Sequence, residues 1–200
     1  MIYFIVTTSI FNNCNIRKQQ YTTGIARLKQ LAGEYKIIIV ENNGSRATFL
    51  DDMGCDVYYT RNNALHTNNK GYKELRDVLD CIEKYKIKDT DFIVKITGRY
   101  ILEAGSEFIQ HIKSLDTTGY DCILKYGSFG NPVDYKMKDC ITGLIGMRCK
   151  FINQIVLPTE HECVEWKWAE ATYLIEDDKI HKVNKLGIQM CPGSNTYFRI

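Results

Sequence analysis

Short apolar runs alternate with helix-period segments through the first hundred residues. Ile2 to Val6, Lys36 to Val40, Asp56 to Tyr59 and Phe92 to Ile96 are rich in β-branched and aromatic residues and have strand length. Between the first two, Tyr21, Ile25, Leu28 and Ala32 recur at helical spacing, and Gly33 follows as a stop. Between the third and fourth, Tyr72, Leu75, Val78, Leu79 and Ile82 repeat that spacing. The alternation predicts a mostly parallel sheet covered by helices, a β-α-β unit with a second α crossover.

After Tyr100 the pattern loosens. It predicts a short helix around Phe108, Ile109 and Ile112, a strand near Cys122 to Leu124, and a Gly- and Lys-bearing stretch from Lys125 to Lys138. A strand at Ile141 to Met147, a helix from about Glu162 to Ile175 and a last strand near Leu186 to Met190 follow. With no repeat, low-complexity tract or Pro/Gly-rich linker, the expected organisation is a single α/β domain, 1–200. Residues 1–100 are expected to form a Rossmann-like half, with a β-α-β pattern like that of nucleotide-binding half-sheets.

Composition narrows the class. Two hundred residues bury a large core without disulfides. The 8 cysteines carry no CxxC pair, and several sit in apolar runs as small hydrophobes, so a reducing, cytoplasmic setting is expected. The sequon at Asn43 also suits secretion, but Met1 to Val6 lacks a basic leader and is short for a signal peptide. No run approaches the length of a membrane span. A net charge of +2, from 26 basic and 24 acidic residues, argues against a general nucleic-acid binder and leaves room for a local cationic pocket.

Open α/β sheets bind ligands at the carboxyl ends of their strands. Here the turns after the strands are polar: Thr7-Thr8-Ser9, Glu41-Asn42-Asn43-Gly44, Arg61-Asn62-Asn63 with Asn68-Asn69-Lys70-Gly71, and Thr97-Gly98-Arg99-Tyr100. Their hydroxyls, amides and carboxylate suit a base and ribose, and Arg17, Lys70, Lys95 and Arg99 suit a diphosphate. Each turn taken alone also reads as ordinary Asn/Gly turn chemistry.

These segments, above all Lys95-Ile96-Thr97-Gly98-Arg99-Tyr100, resemble small GT-A-fold glycosyltransferases of the kind encoded by large DNA viruses and bacterial surface-polysaccharide loci. The resemblance spans nearly the whole chain. It implies a GT-A-like fold with a mixed central sheet and helices on both faces. It also implies transfer of a sugar from a nucleoside diphosphate, expected to be UDP, to a glycan or glycoprotein hydroxyl, with residues 101–200 as the acceptor and catalytic half. On it, Thr7, Thr8 and Ser9 match the turn along the nucleotide, Glu41 and Asn42 the turn near base and ribose, and Asn69, Lys70 and Gly71 the helix-opening segment beside the nucleotide.

One departure concerns metal. Many GT-A enzymes hold Mn2+ or Mg2+ with an Asp-x-Asp motif just after the fourth strand, where this chain has Thr97-Gly98-Arg99. Asp89-Thr90-Asp91 precedes that strand and is expected at the opposite sheet edge. Lys95 and Arg99 are the alternative source of positive charge, and metal dependence stays open.

The transfer also needs a base for the acceptor hydroxyl, and an inverting mechanism uses an Asp or Glu. A helix through Glu162-Cys163-Val164-Glu165-Trp166 puts Val164, Trp168, Ala171 and Ile175 on one buried stripe. Glu162, Glu165 and Trp166 share another face, with Glu165 the first choice as base and Glu162 the second. Four histidines, His66, His111, His161 and His181, show no HxxxH or HxH spacing, so the sequence gives little support for zinc. His181 is the one placed near the Pro192-Gly193-Ser194-Asn195 segment. The competing readings are a nucleotidyltransferase-like enzyme, against which the absence of GxGxxG and GxxxxGK[ST] counts, and an inactive glycan-binding relative.

Overall fold

A computed structural model describes residues 1–11, 15–127, 135–190 and 197–200. Cys14, part of the Lys125 to Lys138 stretch, Cys191 and the Pro192 to Asn195 segment lie outside the described residues.

The first strand, β1 (Ile2–Thr8), carries Phe4, Ile5 and Val6 with no exposed surface, as befits a strand covered on both faces. Helix α1 (Asn15–Ala32) follows and buries the expected Tyr21, Ile25, Leu28 and Ala32. Next come β2 (Lys36–Glu41), β3 (Asp56–Tyr59), α2 (Lys70–Tyr85) and β4 (Phe92–Thr97). All four strands are parallel, in the spatial order β3-β2-β1-β4. Their carboxyl ends therefore share one edge.

The second half contributes β5 (Ile101–Leu102), α3 (Glu107–Lys113), α4 (Leu115–Thr118), β6 (Cys122–Leu124), β7 (Leu144–Arg148), α5 (Cys149–Ile152), α6 (Val164–Ala171), β8 (Ile180–Lys182), β9 (Ile188–Met190) and β10 (Phe198–Arg199). Strand β7 runs antiparallel between β4 and β6, and β8 pairs parallel with β6 at the edge, completing a mixed seven-stranded sheet. Strands β10, β9 and β5 form a separate three-stranded sheet. One apolar cluster, with α2 and α6, fills one face of the main sheet, and a second, with α1 and α3, fills the other.

Several boundaries differ from expectation, among them the start of the strand expected at Leu186, which begins at Ile188. Strand β7 begins at Leu144 rather than Ile141, because the carbonyls of Thr142 and Gly143 are taken by Lys95 Nζ and Thr97 N, at 2.8 and 3.0 Å. Helix α6 begins at Val164 rather than Glu162, whose carboxylate turns back to accept from Thr159 N at 2.7 Å. It ends at Ala171 and tightens into a 3-10 turn over Thr172–Leu174. The short strands β5, β8 and β10 carry no period long enough to read.

Candidate active site

At the shared carboxyl edge, strand pleating divides the polar residues between the two faces of the sheet. On the α1 face, the Thr8 hydroxyl lies 2.8 Å from Glu41 Oε2. Glu41 is fully buried and also accepts from Ile10 N at 3.0 Å, Asn43 Nδ2 at 2.8 Å and Arg46 Nη2 at 3.3 Å. A buried carboxylate has to be paired, so Glu41 braces the turns after β1 and β2 rather than presenting a free oxygen to a ribose.

The same face carries a cationic group. Ser9 N donates to the Tyr21 hydroxyl at 3.0 Å, and that hydroxyl lies 3.2 Å from Ser9 O. Burial pushes the Tyr21 hydroxyl above its ordinary range, while the Ser9 bond and the charges of Arg17 and Arg99 pull it down. Both arginines thus project their fields onto the turn after β1. Arg99 Cζ lies 5.6 Å from the Tyr100 ring centroid, and its Nε is buried without a hydrogen-bond partner among the described residues. Neither arginine makes an ion pair among the described residues. The turn bearing Arg99 is held by Gly98 N on Thr7 O at 3.0 Å and by α1, where any side chain at Gly24 would strike the Gly98 carbonyl.

On the α2 face, Lys95 is buried and its ammonium meets Glu74 Oε1 at 2.8 Å, the Thr142 carbonyl at 2.8 Å and the Thr97 hydroxyl at 3.2 Å. Its three donors are used; Lys95 is not the free phosphate ligand expected of it. Thr7 Oγ1 donates to Glu74 at 2.6 Å. Burial pushes the Glu74 carboxyl up, but Lys95, Thr7 and Thr97 outweigh it and leave the carboxyl below its usual range. Thr142 Oγ1 also contacts Glu165 Oε1, at 3.4 Å, which brings Glu165, partly exposed on the first turn of α6, to the edge where β4 ends.

The remaining expected ligands are engaged elsewhere. Asn42 Nδ2 donates to Asp77 at 3.0 Å. Asn69 caps α2 by accepting from Tyr72 N at 3.1 Å, and its amide holds the Thr159 and Glu162 carbonyls at 2.7 and 2.9 Å. At Gly71 a Cβ would lie 2.6 Å from Val164 Cβ, so this glycine serves the docking of α6. Lys70 is exposed at the start of α2. Glu162 is bound by Lys167 at 2.6 Å, which with the Thr159 contacts pulls its carboxyl down to about 2 and leaves it a poor base. The stripe of Val164, Trp168, Ala171 and Ile175 is buried, and Trp166 is exposed.

Asp89 and Asp91 sit at the far edge, where they hold Asn153 and the chain's amino group at 3.0 and 2.9 Å. No carboxylate pair follows β4, and Glu74 is consumed by Lys95. The described residues there do not fit a divalent ion on a diphosphate.

Glu74 and Asp77 escaped the sequence reading, yet both fall on the inward side of α2 beside Leu75, Val78 and Cys81. A charge in the apolar register of a helix is the signal that marks them. Asp77 accepts from Thr60, Asn62 and Asn42 at 2.6, 2.8 and 3.0 Å. Burial pushes its carboxyl up to about 6, against the pull of those bonds. With the folded value above the unfolded one near 3.9, this contribution to stability is fully present below about pH 4 and is lost as pH rises through 6, a change of about 2–3 kcal/mol. Urea denaturation across pH 4 to 7 is expected to show that decline in the wild type and not in Asp77→Asn.

A parallel β3-β2-β1-β4 sheet, extended by an antiparallel strand next to β4 and bearing its polar turns at one edge, is the α/β fold shared by GT-A glycosyltransferases and nucleotidyltransferases. Solved structures show it. A mannosyltransferase from Pyrobaculum calidifontis, in complex with GDP-Man and Mn2+, matches 98% of this chain and 58% of its own at a TM-score of 0.61 and 8% identity. A Bacillus anthracis protein described as a glucose-1-phosphate thymidylyltransferase, in complex with a sucrose, matches 92% of this chain and 86% of its own at 0.58 and 12%. The bifunctional IspDF of Campylobacter jejuni matches 92% and 49% at 0.53 and 16%. At these identities the likeness is one of fold. No protein-family model and no curated protein matches the sequence.

Proposed function

We propose that this chain is a glycosyltransferase that takes a nucleoside-diphosphate sugar, UDP-linked by preference, and passes the sugar to a hydroxyl of a glycan or glycoprotein. The observation that carries the proposal is Arg99: a guanidinium just past the end of β4 with a buried, unpartnered Nε and no ion pair among the described residues. A buried donor without a partner is unfavourable, and a donor diphosphate supplies both acceptor oxygens and opposite charge.

In this reading the turn Thr7-Thr8-Ser9 lies along the nucleotide, and Arg17 and Arg99 stabilise the charge that builds on the departing diphosphate. The acceptor oxygen attacks the anomeric carbon as its bond to the diphosphate oxygen breaks, and Glu165 takes the hydroxyl proton. Residues 1–100 form the donor side and 101–200 the acceptor side. A depression of about 310 Å3 near the start of α2, with His66, Tyr72, Thr159 and Glu160 in its wall, offers polar and aromatic surface of the kind a sugar uses.

Two measurements test this. A thermal-shift series with UDP-, GDP-, dTDP- and CMP-sugars is expected to raise the melting temperature most with UDP, with or without Mn2+. Arg99→Ala is expected to lower transfer about 10- to 150-fold, the loss of a charge-assisted contact of about 1.5–3 kcal/mol, while Asp89→Ala is near neutral. The reverse ranking would return the metal role to Asp89 and Asp91. The nucleotidyltransferase reading is favoured by the fit to nearly the full length of the thymidylyltransferase-type fold. Release of pyrophosphate from a nucleoside triphosphate and a sugar phosphate, without sugar transfer, would establish it instead.

A further inference from the structure

Far from the nucleotide edge, the fold assembles two imidazoles and a carboxylate that the sequence keeps apart. Glu107 and His111 lie one turn apart on α3, and His181 lies in β8, in register with Ile123 of β6. His111 Nε2 is 3.8 Å and His181 Nε2 is 4.0 Å from Glu107 Oε1, and a ligating atom from each of the three residues falls within 4.8 Å of the others. The two imidazole rings are 3.6 Å apart between centroids. His181 Nε2 is buried and has no hydrogen-bond partner among the described residues.

We propose that Glu107, His111 and His181 form a binding site for one divalent transition-metal ion of the zinc class, which clamps α3 onto the edge strand β8. Ligands on a tetrahedral zinc at about 2.0–2.2 Å lie roughly 3.4 Å from each other. The observed 3.8 and 4.0 Å therefore need a contraction of about half an ångström, and the two imidazoles, with centroids 3.6 Å apart, must swing apart to turn one nitrogen each toward a shared ion. The imidazoles favour zinc, copper or nickel over the hard ions magnesium and manganese. A lone pair on the buried Nε2 of His181 would find in the metal the partner it lacks in the protein.

Both supports are rigid. The Ser106 side chain caps α3 and its hydroxyl is fixed by the Leu186 carbonyl at 2.7 Å. β8 is hydrogen-bonded to β6 within the main sheet. With β8 four strands from β1, the cluster stands about 19 Å across the sheet from the end of β1. The site is independent of the donor chemistry proposed above.

The test is titration calorimetry of Zn2+ alone into the chelator-treated full chain, with melting curves and a Co2+ absorption spectrum alongside. Expected are one site per chain, a melting temperature raised on the order of 5 °C at saturation, and a Co2+ spectrum without thiolate charge-transfer bands. His111→Ala, His181→Ala and Glu107→Gln should each weaken binding roughly 100-fold or more and abolish the thermal shift. His111 and Glu107 are partly exposed helix positions, so those two variants keep the test alive should His181→Ala fail to fold. Undiminished Zn2+ affinity in His111→Ala and Glu107→Gln, or thiolate bands in the Co2+ spectrum, would overturn the assignment.

Discussion

Glu165→Gln protein is expected to fold, to bind nucleotide as the wild type does, and to transfer sugar with a kcat lower by about 10²- to 10⁴-fold. A base is needed only while the acceptor proton leaves, so a neutral isostere removes the proton acceptor without touching donor contacts. The position suits the task. Glu165 sits on the first turn of α6, where the helix dipole favours a carboxylate. Through Thr142 it is linked to the Lys95 and Thr97 end of β4. Steady-state kinetics with separate donor titrations check the split between kcat and affinity. Glu162→Gln is the control, since that carboxylate is tied to Lys167 and Thr159 and its loss should leave the transfer rate unchanged. Full activity in Glu165→Gln would exclude Glu165 as the base.

The largest stability effect is expected at Trp168. Its indole is 2% exposed and lies in the apolar cluster shared by α2, α6 and the sheet, with Val164, Ala171 and Ile175 around it. Truncation to alanine removes the largest of the wholly buried side chains and leaves a cavity the sheet cannot close, a loss of about 3–5 kcal/mol. Denaturant unfolding should show a lower midpoint at unchanged slope. Trp166→Ala, at an exposed position two residues earlier, should stay within about 0.5 kcal/mol of the wild type. A similar loss in both would mean that the face of α6 is wrongly assigned.

These two mutants divide α6 as the fold does. Val164, Trp168 and Ala171 anchor it against the sheet, and Gly71 lets it approach α2 closely enough for Glu165 to reach Thr142. The catalytic proposal thus depends on packing that involves no catalytic group.

What the sequence determined by itself was whatever depends on local period. The four parallel strands, the inward stripes of α1 and α2, and the stripe through Val164, Trp168 and Ala171 follow from apolar spacing. That spacing is set by backbone geometry and needs no knowledge of the partner surface. The convergence of the polar turns at one edge follows in turn from parallel pairing. Tertiary structure alone decided which of those polar groups are free. Glu41, Lys95, Asn42 and Asn69 look alike in the sequence to Arg17 and Arg99, but each of the four is claimed by a partner from a distant segment. Glu74, 21 positions before Lys95 in the chain, is one such partner. The placement of Glu107 and His111 opposite His181 had the same cause. Strand β8, Ile180–Lys182, has no apolar run that marks it, and only its pairing with β6 sets which face its histidine occupies.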